Sequence, residues 1–147
     1  MTKLMTRALL WTTGLMMVSP AAVRAADTRQ LTVFTVGLRD VSDDVFVVAT
    51  DDQELIERCR EQLGLPVSSR DLQVNGRLLA GHGGTNLAWS WHLDPDGWSL
   101  AEVSIELCDG VPGMVEASLD YWLESVGQFC PWSSYIAGWP RPRSPRT

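Results

Sequence analysis

The chain has 147 residues, a formal net charge of −6 and a single lysine, Lys3. That length suits one domain of ordinary size with its own core. An acidic domain almost without lysine is a poor partner for phosphate backbones or anionic membranes, so neither nucleic acid nor a lipid surface is expected as its ligand.

Residues 1–25 read as a secretory signal peptide. Lys3 and Arg7 precede the apolar run ALLWTTGLMMV. That run, about eleven residues, falls well short of the roughly twenty a membrane span needs. Val23 and Ala25 occupy the small-residue positions of a cleavage site, so cleavage is expected after Ala25. An uncleaved anchor is the alternative. The mature product is expected to be secreted or periplasmic, with a single domain over residues 26–138 and no membrane segment. Residues 139–147, WPRPRSPRT, hold three arginines and three prolines, and are expected to be a disordered tail.

Two strands open the domain. LTVFTVGL (31–38) alternates threonine with apolar residues, which predicts one buried face. VFVVATDD (45–52) is apolar throughout Phe46–Ala49, as expected of a central strand. A helix follows in TDDQELIERCREQLGLP. Thr50 and Gln53 form a potential capping box. Leu55, Ile56, Cys59 and Leu63 make one apolar stripe. Gly64 and Pro66 supply the stop.

LQVNGRLLAGHGG predicts a tight hairpin at Asn75-Gly76 and then a glycine-rich link. NLAWSWHLDP and WSLAEVSIELC predict two strands joined by a turn at DPDG. In the second, Val103, Ile105 and Leu107 alternate with Glu102, Ser104 and Glu106, which predicts a core face. A second helix is expected over VPGMVEASLDYWLESVG, with Pro112 in its first turn and Gly127 ending it. FCPWSSYIAG can add a last short strand. The expected fold class is therefore α+β: a mostly antiparallel sheet with two helices packed on one side.

The cysteines fit an oxidising compartment. Cys108 and Cys130 flank the second helix and could bridge its ends, a link that typically contributes about 3 kcal/mol. Cys59, on the apolar face of the first helix, reads as a buried free thiol. Intermolecular pairing is the alternative.

The stretch WSWHLDPDGWSLAEVSIELCDG (89–110) carries the candidate site. Alternation sends Trp89, Trp91 and Leu93 one way, and Ser90, His92 and Asp94 the other. The tryptophans are either core or an aromatic platform for a flat ligand. His92 can join Asp94, Glu102 or Glu106 in acid/base chemistry or a metal site, or it can be structural. GHGG (81–84) lacks the nucleophile elbow that would make it an oxyanion loop. DPDG lacks the rest of a calcium loop, so it reads as a turn. Asp109 reads as a helix cap. No cofactor and no metal set are expected.

Three blocks carry a family resemblance: NLAWSWHLDP, VSIELCDG and CPWSS. Asn86, Trp89, Ser90, His92, Pro95, Glu106, Cys108, Asp109, Cys130, Pro131, Trp132 and Ser133 match the pattern. The sequence resembles the N-terminal domain family of calmodulin-binding-protein-like proteins, over most of residues 45–138. The resemblance implies a single compact domain and a Cys108–Cys130 pairing, and it brings no catalytic residues. Calmodulin targets are basic amphipathic helices, and neither predicted helix here is basic.

The expected function is an exported, non-catalytic binding or interaction module for a small ligand or a protein partner. Its ligand face would use Ser90, His92, Asp94, Glu106, Trp89 and Trp91. The alternatives are a small acid/base enzyme using His92 with Glu106 or Asp94, and a secreted inhibitor that occludes an enzyme with the AGHGGTN loop.

Overall fold

The computed structural model describes residues 29–39, 41 and 44–140. The signal segment and residues 141–147 of the expected tail lie outside them. Two three-stranded antiparallel sheets form, one ordered β2-β1-β6 and one ordered β4-β3-β5. The strands are β1 (Thr32–Leu38), β2 (Phe46–Thr50), β3 (Gln73–Ala80), β4 (Trp91–Ala101), β5 (Gln128–Phe129) and β6 (Ser134–Gly138). Both sheets bury side chains in one core, from Phe34, Val36, Phe46 and Val48 of the first to Val74, Trp91, Leu93 and Leu100 of the second. The fold is α+β, as expected, but sheet-dominated and built on two sheets rather than one.

Strand β1 forms a hairpin with β2, pairing Thr32 with Thr50 and Val36 with Phe46. On its other side β1 pairs with β6. Strand β2 is therefore an edge strand, not the central one its apolar run predicts.

Helix α1 (Gln53–Gly64) buries Leu55, Ile56, Cys59 and Gln62. Its N-cap is Asp52, whose carboxylate accepts from the amides of Glu54 and Leu55. The Thr50 hydroxyl instead accepts from the Asp52 amide, so the expected capping box does not form. Asp52 wins because it presents a charged acceptor to the positive end of the helix. Gly64 remains helical, and the chain leaves through extended Leu65, the conformation that Pro66 imposes on its predecessor. Burial pushes the Cys59 thiol up to about 12, so it is protonated and inert.

The expected hairpin at Asn75-Gly76 is absent, because β3 runs straight through both residues. Gly76 is there for space. A Cβ on it would sit 2.5 Å from Trp98 Cβ and 2.8 Å from Leu93 Cδ1. DPDG is not a hairpin turn either. The chain on both sides of it pairs with the same strand: Leu78 meets Leu93 and Gly76 meets Trp98. Residues 94–97 bulge out of one long strand opposite Arg77. Strand β4 ends at Ala101, so Val103, Ile105 and Leu107 do not line a core face.

The second helix is broken. Helix α2 (Pro112–Ala117) starts with the expected proline and is interrupted at Ser118, φ −137° and ψ 44°. A single turn, α3 (Leu119–Tyr121), follows and widens into a π-helical turn at Trp122–Val126. Gly127, at φ +73°, ends it by donating its amide to the Trp122 carbonyl, as its position predicts. Val115 and Trp122 are buried, while Leu119, Leu123 and Val126 pack at the core margin. A disulfide joins Cys108 and Cys130, with Cα atoms 5.2 Å apart. The ordered chain reaches past residue 138, since the Trp139 ring lies 4.9 Å from buried Phe34.

Gly76→Ala should lower stability by about 1–3 kcal/mol, as overpacking does. The reading is a lower urea midpoint at an unchanged slope. An unchanged midpoint would show that Trp98 has room to move.

Candidate functional site

Strand β2 lies at the edge of its sheet, so alternate backbone groups on its outer side need partners. Side chains from the residues 86–98 stretch supply them. Trp89 Nε1 donates to the Val45 carbonyl at 2.9 Å. Asn86 Oδ1 accepts from the Val47 amide at 2.9 Å. Trp98 Nε1 donates to the Ala49 carbonyl at 2.8 Å. Asn86 Nδ2 also donates to the Trp91 carbonyl at 2.8 Å. The densest motif of the chain is thus a row of side chains hydrogen-bonded along an open sheet edge.

The alternation across this stretch holds within β4. Trp91 and Leu93 are buried, and His92 and Asp94 are half-buried. Trp91 joins an aromatic cluster with Phe46 and Phe129, ring centroids 5.6 Å and 5.3 Å away, and Trp89 stacks beside it at 6.0 Å. Among the described residues, the Trp91 indole N–H is buried without a hydrogen-bond partner. This orphan costs roughly 1–3 kcal/mol, which the surrounding aromatic packing must offset.

The polar face is divided among separate structural partners. Ser90 donates its hydroxyl and its amide to Glu116 of α2, at 2.7 Å and 2.9 Å. His92 Nδ1 donates to the Gly81 carbonyl at 2.7 Å. The Gly83 backbone presses on the same ring, since a Cβ there would collide with His92 Cδ2. Gly81, Gly83 and Gly84 all have positive φ, so the glycine loop folds back on itself and over His92. Asp94 pairs with Arg77 and also accepts from the Asp96 amide at 3.0 Å. The Asp96 amide, ahead of Arg77, holds the Asp94 carboxyl below its usual range. Glu106 lies in a short 3-10 turn beyond the end of β4. Among the described residues, no hydrogen bond or ion pair joins His92 to Asp94, Glu102 or Glu106. The expected acid/base pairs are not assembled. No group of three or more His, Cys, Asp or Glu side chains is placed to hold a metal ion among the described residues.

Arg29 bridges Asp51, at the end of β2, to Asp96 of the β4 bulge. Hydrogen bonds from Arg29 hold both carboxyls below their usual range.

Two exposed features sit around the disulfide, and the sequence reading missed both. The first is residues 102–107. Val103, Ile105 and Leu107 are 81%, 62% and 61% exposed. The backbone beneath them is tied down: Gln73 Nε2 donates to the Glu102 carbonyl, the Ser104 hydroxyl to Gln73 Oε1, and both disulfide sulfurs lie 3.4 Å from the Ile105 carbonyl. The second is a cleft of about 480 Å³ lined by Arg39, Val41, Asp109, Val111, Trp132 and Ser133. Asp109 does not cap α2, whose N-cap is Val111. Its Oδ1 accepts from the Trp132 amide at 2.8 Å instead. The signal for this cleft was present in the CDG and CPWSS blocks, but its fourth side, Arg39, comes from the end of β1 far upstream.

The arrangement of these blocks matches a known family model, the BP-74 N-terminal domain, over residues 30–139. The chain belongs to that family. The likeness to calmodulin-binding-protein-like proteins agrees with this membership. No curated protein and no solved structure matches the chain. In this member of the family the Asn86, Trp89 and Trp98 positions serve the sheet edge, and Asp109 and Trp132 shape the cleft.

Asn86→Ala leaves the Val47 amide and the Trp91 carbonyl without partners and should cost roughly 2–4 kcal/mol in urea unfolding. A loss below about 1 kcal/mol would show that water replaces the amide. Arg29→Ala tests the ion pairs. Carboxyls depressed in the folded state contribute stability above their unfolded pKa, near 3.9, and lose it as pH falls through the folded value. The melting midpoint of Arg29→Ala should therefore lie below wild type at pH 7 in low salt. The gap should close in acid below about pH 3 and shrink in high salt. A gap that stays constant with pH would mean the arginine acts through packing alone.

Proposed function

We propose that this domain is an exported, non-catalytic interaction module that binds a protein partner through residues 102–107. One observation carries the reading: three aliphatic side chains in alternate positions are mostly exposed on a fixed backbone. Apolar side chains grouped in this way mark interaction sites more often than chance exposure. Fixing the segment before binding reduces the ordering cost that a floppy loop would incur. Export is supported by the signal-like leader and by a disulfide within the domain.

An acid/base enzyme has less support, because His92 is engaged by Gly81 while Asp94 is engaged by Arg77. A second reading is an inhibitor that inserts this segment, not the glycine loop, into an enzyme cleft. The extended backbone at Ile105, φ −79° and ψ 148°, favours it, since enzyme clefts that take peptides accept extended chains. The glycine loop is folded over His92 and does not present an extended chain.

The test is affinity capture from the extracytoplasmic fraction with wild type, Ile105→Asp and His92→Ala, followed by binding measurements on the purified captured protein. Ile105→Asp should keep its melting midpoint and weaken partner binding by about tenfold or more, a loss near 1.4 kcal/mol. His92→Ala should bind as wild type does. Equal binding by Ile105→Asp would exclude the segment as the contact.

A further inference from the structure

The cleft beside the disulfide differs from the 102–107 segment in its chemistry. Its volume, about 480 Å³, falls in the range that small-molecule sites occupy. Trp132 lines it and is 47% exposed, although a large indole normally gains by burial. The residue is held in place rather than loose: its amide donates to Asp109, and the disulfide anchors the chain two residues away at Cys130.

Arg39 is fixed as well. Its Nη2 donates to the Arg70 carbonyl at 2.6 Å, and its guanidinium carbon sits 5.4 Å from the Tyr135 ring centroid. The cleft thus joins a guanidinium that only donates, a carboxylate that only accepts, and the Ser133 hydroxyl that does both. The two charges oppose each other, so the site has no net pull on an anion or a cation. A ligand must offer groups that accept from Arg39 and donate to Asp109 without carrying charge. Adjacent hydroxyls do this. It must also offer an apolar face to the indole, and the C–H face of a sugar ring does that.

We propose that the Arg39–Asp109–Trp132 cleft is a binding site for a neutral polyhydroxylated ring, a sugar unit of a glycan. The proposal does not depend on the protein-partner reading. Trp132 supplies the stacking face, Arg39 and Asp109 clamp neighbouring hydroxyls, and Val41 and Val111 form the apolar walls.

The experiment titrates the mature, disulfide-bonded protein, followed by amide correlation spectra. The probes are cellobiose, maltose, lactose and N-acetylglucosamine, with glucuronate, glycine and glutamate as charged comparisons. At least one neutral sugar should shift the amides of Asp109, Trp132 and Ser133. Trp132→Ala and Asp109→Asn should each weaken that binding about tenfold. Asp109→Asn retains an acceptor for the Trp132 amide, so its loss would report the carboxylate and not the loop. Ile105→Asp should bind the sugar as wild type does, which separates this site from the protein-binding segment. The proposal is overturned if no neutral sugar shifts these amides, if only the charged probes do, or if Trp132→Ala binds unchanged.

Discussion

The open edge of β2 is the constraint on which this fold depends. An edge strand exposes a row of backbone donors and acceptors that must meet water, another strand or a side chain. Here the row is closed by Trp89, Asn86 and Trp98. Two indoles donate to two carbonyls, and one amide accepts from the amide between them. Side chains can do this only if their own backbone lies about one side-chain length from β2, and β4 is held there by its pairing with β3. The second sheet therefore exists next to the first because its tryptophans reach across.

Several other features follow from that requirement. Trp98 must lie flat against β3 to reach Ala49, so residue 76 can carry no Cβ. Trp91 and Trp98 must both serve the core, although residues 94–97 lie between them. The bulge absorbs those intervening residues and lets both flanks of β4 keep their register with β3. Arg29 and Arg77 then tie the acidic bulge down through Asp96 and Asp94. The glycine loop has a similar origin. It reverses the chain between β3 and the Asn86 segment, and three left-handed glycines let it close over His92.

What the sequence made legible was local. The alternation of Trp91 and Leu93 against His92 and Asp94, the Gly127 stop, the α1 stripe and the cysteine pair all obey short-range rules, and each appears in the fold. The misreadings share one cause. Asn75-Gly76 and DPDG carry turn chemistry, but both were recruited for long-range purposes, a close contact and a bulge. Phe46–Ala49 reads as a central strand because it is covered on both faces and along its edge, and coverage by side chains leaves the same apolar signature as coverage by strands. Val103, Ile105 and Leu107 alternate as a core strand would. Only the end of the β4 pairing at Ala101 reveals that no sheet remains for them to cover. The cleft was illegible for another reason. Arg39 and Trp132 are brought together by the pairing of β1 with β6, and the Arg39 amide bonds to the Ser133 carbonyl next to Trp132.

The division of the molecule follows from where its polar groups are spent. On the β2 side, indole N–H groups, the Asn86 amide, Ser90, His92, Asp94 and Asp96 are each committed to another part of the protein. Chemistry needs groups with free valence, and that side has almost none to offer. The disulfide side is the reverse. Its backbone is immobilised by Gln73, by the crosslink and by Asp109, while Val103, Ile105, Leu107 and Trp132 keep most or about half of their surface in water. A domain that gained only stability from those residues would have turned them inward, because each exposed aliphatic side chain forgoes roughly 1.5–3 kcal/mol of burial. Holding the frame rigid while leaving the side chains uncovered is the arrangement that favours a partner, since the ordering cost is met during folding and the apolar gain remains available for binding.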